Sequence, residues 1–177
     1  MDPRLQELID HHEIRRTLVD YCHGCDRCDE ALMASVYLED SWDDHGRIKG
    51  PGAQFTREMI ADIQQRTVTL SHLLGQSMIR INGDEAGAET YFLAVTRNAD
   101  GAGFTCHQLG GRYVDRLWRE GGRWLIKHRD VIRDWSISLP VERDWMAESG
   151  LKDGFRSNED ASYAALGLSH SGGRGRS

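Results

Sequence analysis

Proline is scarce, with three in 177 residues, and there are four cysteines. Three of them crowd at Cys22, Cys25 and Cys28, unlike the spread framework of a disulfide-stapled secreted domain. No apolar run approaches the length that crosses a bilayer, and none follows a basic N-terminus. No membrane contact is therefore expected, and the chain reads as cytoplasmic. Basic residues do not dominate either: 22 Lys and Arg face 28 Asp and Glu, a net charge of −6. With a pI near 5.7 the chain has no global field for nucleic acid, and no such partner is expected. The phosphate-cradling patterns G-x-x-x-x-G-K-[ST] and G-x-G-x-x-G are absent, so no nucleotide cofactor is expected. Ser71 lies beside His72, but without the G-x-S-x-G elbow of a serine hydrolase. No internal repeat is visible.

What is present is organised around residues 110–135. Two runs rich in aromatic and β-branched residues flank Glu120-Gly121-Gly122-Arg123. A Gly-Gly pair there predicts a tight hairpin, because glycine accepts the positive φ such turns need. Apolar residues occur on both parities, with Arg129 and Arg133 on one. That pattern suits a curved sheet that packs on its outer face and lines a pocket within; the alternative is a solvated face that carries the arginines.

Upstream, Asp2 can cap a helix that Pro3 opens. Leu5, Leu8, Ile9 and His12 form an apolar stripe, which Ile14, Leu18, Tyr21, Cys22 and Cys25 continue. Asp26 stands four residues beyond Cys22 on the inward face, where an unpaired acid costs several kcal/mol. Either it has a buried partner or it caps the next helix, near residues 29–37. A short strand then ends at Asp43-Asp44-His45-Gly46, and Phe55, Met59, Ile60 and Ile63 repeat at helical spacing. Residues 68–81 and 86–98 read as paired strands around Asn82-Gly83-Asp84. Residues 141–151 allow one helical turn, and 169–177 read as a disordered tail. Helices followed by an antiparallel sheet define an α+β fold. The expected organisation is a domain over 1–140, a C-terminal extension over 141–168 and the tail.

Taken in order, Tyr21-Cys22-His23-Gly24-Cys25-Asp26, Asp43-Asp44-His45-Gly46, Ser71-His72-Leu73-Leu74-Gly75, Ala88-Glu89-Thr90-Tyr91-Phe92 and Gly111-Arg112-Tyr113 through to Arg133-Asp134-Trp135 resemble the SnoaL-like branch of the NTF2-like superfamily. The resemblance covers roughly residues 5–140. It implies a cone: three N-terminal helices on a strongly curved antiparallel sheet enclosing a pocket. It also implies an acid–histidine pair at Asp26 and His72, as in the dehydrochlorinases and bile-acid dehydratases of that superfamily. Tyr21 matches a substrate-facing tyrosine, and Arg129 and Arg133 match pocket arginines. The dehydratase's second pocket carboxylate falls at Val95, so its leaving-group acid is not shared. Trimers, and in some members dimers, are the assemblies the resemblance implies.

The residues make chemical sense of the pair without the resemblance. A neutral imidazole can abstract a proton near pH 7, and a carboxylate on its other nitrogen fixes the tautomer. The expected catalytic group is His72, Asp26 and Arg129, with Tyr21, Arg133 and His45 binding substrate, all converging on one enclosed cavity. The expected chemistry is a cofactor-independent lyase acting on a small hydrophobic, aromatic or cyclic substrate. Elimination leads, with retro-aldol cleavage a close variant. The alternatives are a ketosteroid-isomerase or cyclase type of isomerase and a non-catalytic ligand-binding or assembly domain. No metal is expected: Cys22, Cys25 and Cys28 lack a fourth ligand nearby, and two of them fit the apolar stripe. Trp118, Trp124 and Trp135, with Trp145, Met146, Leu151 and Phe155 further on, point to a homotrimer.

Overall fold

A computed structural model describes residues 2–101, 103–141, 144 and 146–168. Helix α1 (Pro3–Arg27) and the short α2 (Glu30–Ala34) precede strands β1 (Tyr37–His45) and β2 (Ile48–Pro51). Helix α3 (Gly52–Arg66) leads into four long strands: β3 (Thr67–Asn82), β4 (Glu85–Asp100), β5 (Gly103–Glu120) and β6 (Arg123–Val141). A six-residue helix, α4 (Ala161–Leu166), lies in the C-terminal extension.

The six strands form one open sheet in the order β2-β1-β6-β5-β4-β3. Its long strands are antiparallel, as expected, but β1 runs parallel to β6. That pairing joins strands some eighty residues apart, and no local turn signal could announce it. The expected hairpin is present: Gly121 and Gly122 both have positive φ, 59° and 78°, between the paired Glu120 and Arg123. Register shifts between Leu74 and Ser77, Gly110 and Gly111, and Arg116 and Leu117 bend the sheet. The bend at Gly110 is enforced by packing, since a Cβ there would lie 2.2 Å from the Trp135 ring.

Helix α1 packs against β3 and β6, burying Ile14, Leu18, Tyr21, Cys22 and Cys25 on one face. Asp2 caps it, its side chain accepting from Arg4 N at 2.9 Å. The expected stripe fails at the start of the helix. Leu5, Leu8 and Ile9 are exposed, and the first buried residue is Asp10, because the early turns lie outside the face that meets the sheet. Asp10 accepts hydrogen bonds from the Trp124 indole (3.1 Å), Arg119 (2.8 Å) and Gln6 (3.0 Å), so its burial is fully compensated.

The C-terminal extension folds back on its own chain. Arg156 donates to the Ile63 and Thr67 carbonyls and contacts the Cys28 sulfur. The Tyr163 hydroxyl donates to Asp29 at 2.7 Å. The expected helical turn within 141–151 is a turn at residues 146–148, and the helix comes later, capped by Asp160. Trp145 and the tail at 169–177 lie outside the described residues.

Candidate active site

Asp26 does not cap α2; Asp29 does, its carboxylate accepting from Leu32 N at 3.0 Å. Both oxygens of Asp26 instead reach across to β3. Oδ1 is 2.6 Å from His72 Nδ1, and Oδ2 accepts from the His72 backbone N–H at 3.0 Å. A carboxylate only accepts, so Nδ1 carries a proton, and in the neutral ring it is Nε2 that keeps the lone pair. Both side chains are mostly buried, at 8% exposure for His72 and 14% for Asp26. The alternation of β3 explains the aim: Leu70, His72 and Leu74 share the face turned towards α1.

The pair lines a groove of about 320 Å³ between α1 and β3, with Arg15, Val19, Cys22, His23 and Leu74 around it. Arg15, Cys22 and Asp26 recur at helical spacing and so share a face of α1. Arg15 fixes the strand opposite, donating to the Leu74 carbonyl (3.1 Å), the Gly75 carbonyl (2.9 Å) and the Ser77 hydroxyl (2.8 Å). The groove is open rather than enclosed.

Arg129 is not in that lining. It lies wholly buried, paired with Asp115 across the β5–β6 ladder through Nε (2.7 Å) and Nη2 (2.8 Å). Its guanidinium is held 4.2 Å from both the Tyr21 and the Tyr113 rings. Burial alone would discourage its charge, but the Asp115 carboxylate holds the guanidinium protonated. Burial likewise pushes the Asp115 carboxyl up, with Arg129 opposing the shift. Nη1 has no hydrogen-bond partner among the described residues. Between Arg129 and His72 stands an aromatic pair: Phe92 stacks on Tyr113 at 4.3 Å, with its ring centroid 6.4 Å from that of His72.

Tyr21 and His45 meet on the far side of that pair. The Tyr21 hydroxyl is 3.1 Å from His45 Nε2, and His45 Nδ1 contacts Asp43 Oδ1. Asp43 is fully buried and also accepts from the Tyr37 hydroxyl. Burial raises the Tyr21 phenol well above its ordinary value, Cys25 and Asp43 adding to this and Arg129 opposing, so it stays protonated at neutral pH. Arg133 is elsewhere: it is exposed on β6, opposite Gly111 at the sheet's bend. Asp43, Tyr37 and Asp115 complete this buried polar cluster. Of these, Asp43 and Asp115 both fall within motifs legible in the sequence, Asp115 with no role of its own; Tyr37 gave no separate signal.

Cys22 and Cys25 are buried in the core, where burial pushes the Cys22 thiol up to about 12 and holds the Cys25 thiol well above its ordinary value. Cys28 lies against Arg156. Thiols held protonated are poor ligands, since metals bind the thiolate.

Residues 6–130 match the model of the SnoaL-like domain. No curated protein matches the sequence significantly. Among solved structures, a hexachlorocyclohexane dehydrochlorinase (LinA) type 2 superposes with a TM-score of 0.71 at 15% identity, over 84% of this chain and 99% of that one. A protein from Novosphingobium aromaticivorans DSM 12444, provisionally described as a scytalone dehydratase, gives 0.66 at 20% identity, over 78% and 97%. A protein of unknown function from Mycobacterium tuberculosis gives 0.64 at 23%, over 95% and 90%. At such identities these likenesses speak for the fold.

Proposed function

The chain belongs to the SnoaL-like domain family, and from that premise we propose that it is a cofactor-independent lyase. Its substrate is a small hydrophobic molecule, aromatic or cyclic, that loses water, a halide or an aldehyde fragment. The observation that carries this reading is the two-point grip of Asp26 on His72. Asp26 fixes the ring through Nδ1 and the strand through the backbone N–H, which leaves Nε2 as the base. Proton abstraction by a base so held contributes on the order of 10²–10⁴ in rate. As the imidazolium forms, the carboxylate stabilises it.

Arg129 stabilises developing negative charge from behind Tyr21, whose ring it contacts, rather than by meeting the substrate in the His72 groove. Tyr21 and His45 bind the substrate's oxygen. Arg133, exposed at the sheet's bend and away from the groove, is left without a role in this reading. The molecule assembles as a homotrimer through the outer sheet face, where Tyr91, Trp118, Trp135, Ile137 and Leu139 are exposed.

Two β-substituted ketones test the reading: 4-(4-nitrophenoxy)butan-2-one and 4-hydroxy-4-phenylbutan-2-one. Each has an acidic α-hydrogen and becomes an enone by elimination. Turnover above buffer, unaffected by chelator and sensitive to His72→Ala, supports a lyase. Saturable binding of both ketones without turnover supports the ligand-binding alternative, which the openness of the groove favours.

A further inference from the structure

The mechanism above gives His45 a binding contact but leaves its pairing with the buried Asp43 carboxylate unexplained. Asp43 is completely buried, and Arg129, its cross-strand neighbour on β6, is already taken by Asp115. The carboxylate is compensated instead by the Tyr37 hydroxyl on Oδ2 and by His45 Nδ1 on Oδ1. That aims Nδ1–H at Asp43 and leaves Nε2 facing the Tyr21 hydroxyl, as acceptor when the ring is neutral and as donor when it is protonated. The ring is held by stacking on Phe55, centroids 4.7 Å apart and planes at 25°. The order of exposure is also that of a proton path. The His45 side chain is 16% exposed, whereas Tyr21 is 1% exposed and lies deeper, against Arg129.

We propose that Asp43 and His45 form a proton relay that supplies the Tyr21 hydroxyl, making Tyr21 the general acid for a leaving oxygen. The inference rests on the elimination reading and supplies the acid that reading leaves unassigned. The step balances. His72 Nε2 takes the C–H proton, and the electron pair of that bond forms the new double bond as the C–O bond breaks. Tyr21 gives its proton to the departing oxygen, and a His45 imidazolium gives its Nε2 proton to Tyr21. Water leaves, His72 is now protonated and His45 neutral, and both return to their starting states by exchange with solvent. The Arg129 guanidinium 4.2 Å from the Tyr21 ring favours the transient negative charge on the phenol oxygen.

The two ketones separate this acid from the base. The hydroxyketone must have its leaving oxygen protonated; nitrophenolate departs unaided. His45→Gln and Tyr21→Phe should each slow the hydroxyketone by about 10²-fold or more beyond whatever loss they cause on the aryloxyketone, which shares the binding contact but needs no proton on its leaving group. The double variant should be no slower than either single one, because the residues act as a unit. His72→Ala should abolish turnover of both. Equal loss on the two ketones, or additive losses in the double variant, would overturn the relay while leaving the lyase intact. A second readout needs no turnover: the His45 imidazole ¹⁵N signals should show a protonated Nδ1 and an Nε2 that shifts on Tyr21→Phe. An Nε2 signal unmoved by that substitution overturns the relay by itself. Wild-type protein that turns over neither ketone overturns the elimination reading, and with it the acid role of Tyr21.

Discussion

Removing the Asp115 carboxylate should be among the costliest single substitutions in this molecule. The carboxylate accepts from both Nε and Nη2 of a guanidinium with no exposure, whose Nη1 already lacks a partner among the described residues. Asp115→Ala would strand that cation between two tyrosine rings. Breaking one side of a buried pair costs about 3–5 kcal/mol, a large part of the roughly 5–15 kcal/mol that holds a domain together. For a chain of this length each kcal/mol lowers Tm by about 2–4 °C, so the melt should move down by about 6–20 °C. Urea unfolding at pH 7 should show the same loss as a fall in midpoint at constant slope. Replacing both partners, as Asp115→Leu with Arg129→Met, should recover much of it, because no charge is then left unpaired. A single variant that loses less than about 1 kcal/mol would refute the view that the pair is dry and mutually dependent.

Three further outcomes are expected. Burial alone would raise the Asp10 carboxyl, but Arg119, Trp124 and Gln6 together hold it below its ordinary 3.8. A depressed folded value stabilises above 3.8 and is lost as pH falls through that lower value. Asp10→Asn should therefore be less stable than wild type at pH 7, and urea midpoints should converge in strong acid; a gap that is constant with pH would contradict this. Dialysis against a strong chelator should change neither rate nor melting temperature, whereas stoichiometric zinc or iron retained after purification would reopen the question of Cys22, Cys25 and Cys28. Light scattering coupled to size exclusion should give the mass of about three 20.0 kDa chains; a mass of two would discard the trimer but keep the fold, and a single-chain mass would discard any obligate assembly.

Features written in short stretches of chain were readable in advance. Gly121-Gly122 specified its hairpin because only two positive φ angles close that loop, and both are present. Asp26 stood out because an acid on an inward helical face demands a partner, and the structure supplies one 46 residues away. What could not be read depends on remote pairing. The parallel β1–β6 ladder brings Asp43 beside Arg129, yet nothing local in either strand encodes it. The same holds for Asp115, which looks like an ordinary strand residue until register sets it opposite Arg129. Arg129 was therefore expected to be free for a substrate, whereas its carboxylate partner was not anticipated. The early turns of α1 misled for the converse reason: Leu5 and Leu8 follow the helical period, but period alone does not reveal where the sheet begins.

The claim at the centre of this account is that His72 removes a proton while Asp26 holds it. The most direct measurement is the rate of nitrophenolate release from 4-(4-nitrophenoxy)butan-2-one by wild type, His72→Ala and Asp26→Asn, with melting temperatures taken alongside. The account predicts that both variants lose at least about 10² in rate with little change in melting temperature. Full activity in His72→Ala would contradict it, and a large drop in melting temperature common to both variants would show that the Asp26–His72 bond serves the fold instead.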